Sequence, residues 1–250
     1  MTRTLALATA LSAGLGLTTA TAADMAGPAR GSFAPLAAPA SPAGFYFGTR
    51  NGFGGARDTR FDVGAGAVNV TNQYEMGFYN GLMIGYNFGP VLGGVGLRGE
   101  LEFGRSQFSI KTHTVNGARV AGIDSFGDLR SYGGFANAFL DFNLATLAGV
   151  PADSLLARIT PYIGGGIGYS QVELRRMGVS ATGVIMDDSD GRFAYNLAAG
   201  VGISIFERTT LEIGYRYLAV PDLQFVARDG TRTRTTAAAN MVTLGMRRQF

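Results

Sequence analysis

Residues 76–88 read MGFYNGLMIGYNF, a stretch in which large apolar side chains alternate with glycine and polar ones. Met76, Phe78 and Leu82 share one face of an extended chain, whereas Gly77 and Gly81 lie on the other. Because successive side chains of a β-strand point to opposite sides, this alternation predicts an amphipathic strand.

Seven further segments of the chain alternate in the same way. Each has an apolar face opposite a face made of Gly, Ser, Asn and a few charged residues. They cover residues 45–53, 95–105, 131–142, 159–171, 192–205, 210–217 and 238–250. Eight amphipathic strands, with no helix-period segment of comparable strength, predict an all-β fold.

Composition decides which face of these strands is the inside. Charged residues make up only 16% of the chain, and 38 of its 250 residues are glycine. In a soluble calyx the glycine-rich face would have to meet bulk water, and it is too poor in Lys and Glu to do so. In a membrane barrel the apolar face meets lipid and the small face packs a narrow lumen. The sequence therefore predicts an eight-stranded antiparallel transmembrane β-barrel.

The connections between these segments are alternately long and short. The long ones cover residues 54–75, 106–130, 172–191 and 218–237, and the short ones cover residues 89–94 and 206–209. This alternation is typical of outer-membrane barrels with long external loops and short periplasmic turns. Residues 143–158 are the exception, a longer connection on the short side in which residues 151–156 could start a helical turn.

Aromatic residues are expected at both rims of the barrel, where they would lie at the membrane interfaces. With both termini periplasmic, the outward residues of the lower rim include Phe45, Phe88, Phe142, Ile205 and Phe250, and those of the upper rim include Phe53, Phe103, Tyr132, Tyr169, Phe193 and Tyr217.

The amino-terminal residues have the composition of an export signal. Arg3 precedes an uncharged stretch rich in Leu and Ala, and Ala20-Thr21-Ala22 fits the pattern of small residues at a cleavage site. We expect a signal peptide at residues 1–22, with a membrane anchor as the alternative. A Pro/Ala-rich periplasmic tether at residues 23–43 and a barrel domain at residues 44–250 would follow. The expected location is the outer membrane of a Gram-negative bacterium.

Three motifs and the last residue resemble the opacity-type outer-membrane β-barrel family of alphaproteobacterial surface proteins. They are GFYFG at 44–48, PYIGGGIGY at 161–169, LEIGYRY at 211–217 and the terminal Phe250. The resemblance covers residues 44–250. This chain departs from the family pattern in its long connection at 143–158, its long tether and Arg248 on the outward face of the last strand.

The resemblance implies an eight-stranded barrel like the OmpA transmembrane domain. It also implies a structural or surface-interaction role in envelope integrity or as a surface antigen or adhesin, with a small porin as the alternative. In such families the terminal Phe is the signal read by the barrel-assembly machinery, and Phe250 matches it.

Charged residues at inward positions are the main candidate functional group. Charges in a narrow interior must pair or be hydrated, so they form either a salt-bridged plug or the constriction of a small gated pore. The predicted lumen charge cluster is Arg98, Glu100, Glu102, Glu212 and Arg216, and Arg50, Asp141, Arg192 and Arg247 are also expected to face inward.

Little in the sequence points to catalysis, a cofactor or a metal. The chain has no Cys and one His, so we expect no catalytic residues, no cofactor and no metal site. His113 is expected to be a solvated loop residue, with a lipid-modifying enzyme that uses it and Ser106 or Ser109 as a remote alternative. Residues 187–191 (DDSDG) lack the Glu of a calcium loop and are expected to form a solvated turn.

Partners are expected at the membrane and at the external loops. Arg228, Arg232 and Arg234 could contact lipopolysaccharide phosphates or acidic host glycans, or form a solvated basic loop. The expected partners are outer-membrane lipid and lipopolysaccharide, the barrel-assembly machinery, and a host or envelope partner bound by the loops. Nucleic acid is not expected, because 21 basic residues are mixed with 18 acidic ones.

Overall fold

A computed structural model describes residues 43–151 and 154–250 of the chain. The predicted signal peptide at 1–22, and the tether at 23–43 apart from its last residue, lie outside the described residues.

The described residues form eleven β-strands. In chain order they are β1 (Gly44–Ala56), β2 (Thr59–Val63), β3 (Val68–Tyr74), β4 (Met76–Leu92), β5 (Val95–Val115), β6 (Ala118–Arg119), β7 (Ser125–Phe142), β8 (Ile159–Val179), β9 (Gly183–Phe206), β10 (Thr209–Val226) and β11 (Arg232–Gln249).

Eight of these strands close into an antiparallel ring in the order β1, β4, β5, β7, β8, β9, β10, β11 and back to β1. The first and last strands complete it, with Phe47 opposite Arg248 and Phe53 opposite Val242. Alternation sets the two faces: Phe103 is 76% exposed on the outer wall, whereas its neighbour Glu102 is 1% exposed inside. The predicted eight-stranded antiparallel barrel is confirmed.

The strands run much further than the sequence pattern indicated. A membrane crossing takes about 9–11 residues, but β5 and β8 have 21 residues each and β9 has 24. Of residues 172–191, expected as a long loop, only 180–182 lie outside β8 and β9. Within residues 54–75, β2 and β3 form a hairpin that continues the wall beyond β1 and β4. The external connections are therefore mostly β-structure that rises above the membrane.

The two ends of the barrel have opposite polarity. On β5 the outward residues Leu101 and Phe103 give way to Arg105, and Gln107, Ser109 and Lys111 follow. At the same point the inward residues change from Glu100 and Glu102 to Phe108 and Ile110. The lower barrel is therefore apolar outside and polar inside, as lipid requires. The upper barrel is polar outside and apolar inside, as in a soluble protein.

The interior of the upper barrel is a hydrophobic core. Phe61 of β2 packs edge-on against Phe225 of β10, with ring centroids 6.1 Å apart. The other buried members come from most of the strands and include Val70, Phe108, Leu129, Val172, Leu174, Met177, Met186, Leu218, Val220 and Leu223.

Short helices lie at the end of the barrel that carries Gly44 and Phe250. The β7–β8 connection contains α1 (Leu144–Leu147) and a 3-10 helix at Leu155–Arg158, which lies where the sequence suggested a helical turn. The Asn143 side chain caps α1 by accepting a hydrogen bond from the backbone N–H of Thr146. Within the described residues, no helix is long and apolar enough to cross a membrane.

The expectation that His113 is a solvated loop residue is wrong. His113 lies on β5 and is fully buried, with its ring nitrogens 2.7 Å from Asn72 Oδ1 and 2.9 Å from the carbonyl oxygen of Gly178. It joins β3, β5 and β8 above the membrane, because β5 continues about ten residues beyond its expected end.

The expectation of a solvated turn at residues 187–191 is also wrong, because these residues belong to β9. Backbone pairing between β9 and β10 stops at Tyr195 and Ala219. Beyond it, Asp188 Oδ2 accepts the N–H of Val226 and Asp190 Oδ2 accepts the N–H of Gln224, each at 2.7 Å. Burial raises the pKa of Asp190, but these hydrogen bonds and Arg192 lower it below its ordinary value. The two carboxylates thus replace the missing backbone acceptors of the wall.

Burial lowers the pKa of His113 below its usual 6.5, although the hydrogen bond to Gly178 opposes the shift. A base whose pKa is lower in the folded state stabilises the fold fully above pH 6.5, and this contribution is lost as pH falls towards the folded pKa. Since His113 is the single histidine, its ring signals in an NMR titration should show a midpoint below 6.5. A midpoint at or above 6.5 would mean that the site favours the charged ring.

Candidate functional site

The candidate site is the charged interior of the membrane-spanning half of the barrel. Alternation along five strands turns four guanidinium groups and four carboxylates into the same space. Its members, which we call the lumen cluster, are Arg50, Arg98, Arg216 and Arg247 with Glu100, Glu102, Asp141 and Glu212. All five residues predicted as the lumen charge cluster lie in it.

Arg50 of β1 occupies the centre and joins two other strands. Its Nη1 lies 2.7 Å from Glu102 Oε2, and its Nη2 lies 3.1 Å from Glu100 Oε1 on the same strand, β5. Nη2 also lies 3.3 Å from Glu212 Oε2 on β10. One guanidinium therefore ties together strands on different sides of the ring.

Arg98 extends the network towards the end with the termini. Its Nη1 lies 3.1 Å from Glu100 and 3.1 Å from Glu212, and its Nε lies 2.9 Å from Asp141 of β7. Arg247 of β11 lies 3.4 Å from Glu212 and 3.7 Å from Asp141. Each carboxylate here therefore serves at least two cations.

Glu102 is the most heavily bonded carboxylate on the other side of Arg50. It accepts hydrogen bonds from Arg216 Nη1 at 2.5 Å, from the Tyr79 hydroxyl at 2.5 Å and from Asn137 Nδ2 at 2.9 Å. Charge-assisted bonds of this kind are about twice as strong as neutral ones. They satisfy the oxygens of a carboxylate that no bulk water reaches.

Aromatic rings cover the faces of the guanidinium groups. The Arg98 guanidinium carbon lies 4.3 Å from the ring centroid of Phe139, and that of Arg216 lies 4.9 Å from the centroid of Tyr79. Arg216 Nε and Nη2 have no hydrogen-bond acceptor within the described residues. Stacking on the Tyr79 ring is therefore the main contact of this part of the guanidinium group. Cation–π contacts are worth about 2 kcal/mol or more when desolvated.

The lumen cluster is electrically neutral, with four cations matched by four anions. Burying a charge without a partner costs several kcal/mol, whereas each charge of this cluster has at least one opposite charge within 4 Å. An eight-stranded barrel is just wide enough for its own side chains to fill. The arrangement therefore ties strands on different sides of the ring together and occupies the centre of the lumen with side chains.

The interior above the lumen cluster is closed as well. A void beside Phe108, Leu129 and Val172 has a volume of about 20 Å3, enough for about one water molecule. Packed apolar side chains surround it. In the described residues, an ionic section and an apolar section thus follow one another along the interior of the barrel.

The structure does not bring every predicted lumen residue into this cluster. Arg192 pairs instead with Asp190 at 2.7 Å, and its side chain is 37% exposed in the upper part of β9. Arg50, Asp141 and Arg247 join the cluster as expected.

The predicted surface residues lie at the two ends of the barrel. Arg228, Arg232 and Arg234 are exposed at the β10–β11 hairpin, and in the described part of the chain none of them forms a salt bridge. Phe250 stacks on Phe47 with ring centroids 5.5 Å apart, and its N–H donates to the carbonyl of Phe45.

Sequence reasoning missed the neutral members of the site. The Tyr46 hydroxyl donates to Glu100 at 3.1 Å, and Tyr79 and Asn137 hold Glu102. Alternation had already placed all three on the inward face. An inward hydroxyl or amide one or two strands away from an inward Glu was the signal that could have identified them.

A closed ring of antiparallel strands with a lipid-compatible belt and a polar interior defines a membrane-spanning β-barrel. The chain belongs to the outer membrane protein beta-barrel domain family, whose model matches residues 10–250. Membership of this family places it in the outer membrane of a Gram-negative bacterium.

Similarity to curated proteins is confined to a short stretch. The chain is 38% identical over 69 residues to an uncharacterized protein of Brucella abortus strain 2308, and to one of Brucella melitensis strain 16M. The match covers 25% of this chain and 24% of each of those proteins.

Several solved outer-membrane proteins are similar at low identity. Neisserial surface protein A is 16% identical with a TM-score of 0.46, covering 82% of this chain and 97% of that one. OprG of Pseudomonas aeruginosa is 13% identical with a TM-score of 0.44, covering 83% and 97%. The outer membrane protease OmpT of Escherichia coli is 8% identical with a TM-score of 0.45, covering 82% and 97%.

Replacing Arg98 by Met should destabilise the barrel strongly, because Glu100, Asp141 and Glu212 then lose a shared cation. Breaking a buried ion pair from one side costs about 3–5 kcal/mol. Urea unfolding in lipid vesicles, followed by the heat-modifiable mobility of the barrel on gels, measures the loss. Arg248→Met on the outer wall is the matched control and should leave the midpoint unchanged; equal midpoints for both variants would remove the structural role of the lumen cluster.

Proposed function

We propose that this protein is a closed, non-conducting outer-membrane barrel with a structural and surface-interaction role, in envelope integrity or as a surface antigen or adhesin. One observation carries the proposal: the neutral lumen cluster and the apolar core above it fill successive sections of the same interior. The barrel wall supplies the anchor, and the strands that rise above the membrane supply the surface.

A small porin-like channel with a charged constriction is the alternative. It would require the eight charged groups to separate far enough for hydrated ions to pass. Arg50 and Arg98 together contact all four carboxylates of the cluster, so opening a path breaks several buried contacts at once. The apolar core would also have to part, which supports the closed form.

The external surface is held rigidly enough to present a fixed binding face. The backbone N–H groups of Gly64 and Ala65 in the β2–β3 turn donate to Asp229 and Thr231 of the β10–β11 turn, at 2.5 and 2.9 Å. The N–H of Asp62 donates to Thr233 at 3.0 Å. These contacts lock two hairpins together above the membrane and support a role in recognition.

The exposed arginines favour an acidic partner at this face. Asp229 is the nearest acidic residue in sequence to Arg228, Arg232 and Arg234, but its carboxylate accepts backbone N–H groups of Gly64 and Thr231. The three guanidinium groups are thus free to bind phosphate or sulfate groups at the cell surface. The partner in this proposal is an acidic glycan of a host or of the envelope.

We further propose that the protein acts without catalysis. Outer-membrane barrels include enzymes, so the fold by itself does not decide the question. The lipid-modifying alternative needs His113 beside a serine, but the His113 ring contacts Asn72 and Gly178. Ser106 contacts Ser131 and Ser109 donates to Asp128. This arrangement supports a non-enzymatic role.

Export and assembly complete the proposal. Residues 1–22 act as a signal peptide that is cleaved, and residues 23–43 form a periplasmic tether. Phe250 is the signal for the barrel-assembly machinery, supported by its place at the end of β11 with its ring exposed on the outer wall.

Purified protein in planar bilayers should give no reproducible conductance steps, because protein atoms fill the lumen. The double variant Glu100→Gln/Glu102→Gln is the informative comparison, since it removes two of the four negative charges of the lumen cluster and leaves four guanidinium groups with Asp141 and Glu212 alone. The closed-barrel proposal would be overturned if the wild type gave conductance steps and the double variant changed their size or ion selectivity. That result would establish the porin.

Changing Arg228, Arg232 and Arg234 together to Ser should weaken binding to heparin at least 10-fold at low salt, because three charge-assisted contacts are lost. Surface plasmon resonance on the folded barrel measures the affinity. The control changes Lys111, Arg119 and Arg175 to Ser, which removes the same charge from exposed positions on β5, β6 and β8. Equal binding of wild type and the first triple variant rules out the patch.

A further inference from the structure

The outer wall of the barrel carries polar side chains where lipid is expected. Asn51 of β1, Asn80 of β4 and Arg105 of β5 point outward and lie opposite one another across the sheet, with Tyr132 of β7 and Gln171 of β8 next in the same row. Strands are spaced by about 4.8 Å, so this row of five strands extends about 19 Å around the wall.

The row lies at the upper edge of the lipid-facing belt, and on β1 and β4 an aromatic pair stands above it. Phe53 and Phe78, whose ring centroids are 5.2 Å apart, occupy the next outward positions towards the loops. The amides of Asn51 and Asn80 therefore lie on the membrane side of an aromatic pair. Arg105 is the last outward position on β5 before the polar run Gln107, Ser109 and Lys111.

These side chains lack the partners that a polar group in lipid needs. Within residues 43–151 and 154–250, neither the Asn51 amide nor the Asn80 amide forms a hydrogen bond, and Arg105 forms no salt bridge. Arg130 and Arg192, by contrast, pair with Asp128 and Asp190. An unsatisfied amide facing hydrocarbon costs several kcal/mol, so the row calls for acceptors from outside the chain.

A groove runs along this row and gives the site its shape. It has a volume of about 600 Å3, and Leu82, Phe103 and Tyr169 form its membrane side. Its floor is lowest at Gly134, one of the few outward glycines, where an added Cβ would meet the Phe103 ring at 3.4 Å. This half of the site is apolar.

A second groove of about 470 Å3 adjoins the first on the loop side and shares Asn80, Arg105 and Tyr132 with it. Gln107, Ser109 and Arg130 add polar groups there. The two grooves thus place an apolar surface and a basic, donor-rich surface side by side, with Arg105 at the boundary.

We propose that this paired groove binds one phosphorylated, multiply acylated glycolipid of the outer leaflet, of the lipid A type. A phosphate group binds Arg105, which has no salt bridge, and its amide and hydroxyl oxygens accept from Asn51 and Asn80. Its acyl chains lie over Gly134 between Leu82, Phe103 and Tyr169. A groove this wide takes several chains side by side, whereas a two-chain phospholipid covers only part of it. The site is on the outer wall and does not depend on whether the lumen conducts.

Binding can be measured on the folded barrel in phosphatidylcholine nanodiscs titrated with bisphosphorylated, hexa-acylated lipid A, with bound lipid counted by native mass spectrometry. Phosphatidylglycerol serves as the second anionic lipid. Wild type should bind one lipid A with at least 10-fold preference over phosphatidylglycerol. Equal binding of the two lipids would mean general attraction of anionic headgroups and would overturn the site.

Two variants and a control locate the site. Arg105→Gln removes the unpaired charge and should weaken lipid A binding about 10-fold, roughly the value of one charge-assisted contact. Gly134→Val raises the groove floor and should weaken binding without changing the charge. Arg119→Gln, an exposed arginine of β6, should bind like wild type. Heat-modifiable mobility confirms that each variant folds; wild-type affinity in both folded groove variants would overturn the proposal.

Discussion

The interior of an eight-stranded barrel has room for its own side chains and little else. Every charge that alternation turns inward must therefore find its counter-charge within that space, because bulk water cannot reach it. In this chain four arginines and four carboxylates from five strands meet in a neutral cluster, and Arg50 and Arg98 contact carboxylates on several of them. The closure of the ring, the register of its strands and the block of its lumen all depend on that match.

The change of polarity along the wall follows from the change of solvent. Where lipid surrounds the barrel, apolar side chains point outward, and glycines and ion pairs fill the inside. Where water surrounds it, the same strands turn Phe108 and Leu174 inward and Gln107 and Glu173 outward. Continuous hydrogen-bonded strands carry the wall from one solvent to the other. The outer surface near the boundary, where Arg105 follows Phe103, is where a ligand with both a charged and an apolar part fits best.

Much of the membrane-spanning half could be predicted from alternation. The faces of Glu100, Glu102 and Arg98 followed directly from the apolar positions beside them, and so did the eight strands. The upper half could not be predicted in this way, because each strand was identified by an apolar outward face. Beyond Arg105 the apolar side chains point inward instead. His113 and residues 187–191 were therefore placed in loops, although they lie on β5 and β9. The pairing of specific charges, such as Arg216 with Glu102, depends on strand register across 114 positions of sequence, which no local pattern reveals.

The most direct test is a double-mutant cycle between Arg216 and Glu102, using Arg216→Met, Glu102→Gln and the combined variant. Unfolding free energies in lipid vesicles give the coupling between the two side chains. If ion pairs hold the lumen together, the coupling should be favourable by at least about 1.5 kcal/mol. The double variant should then lose much less unfolding free energy than the two single variants lose in sum. Effects that add within about 0.5 kcal/mol would contradict this account, because the charges would then act independently of one another.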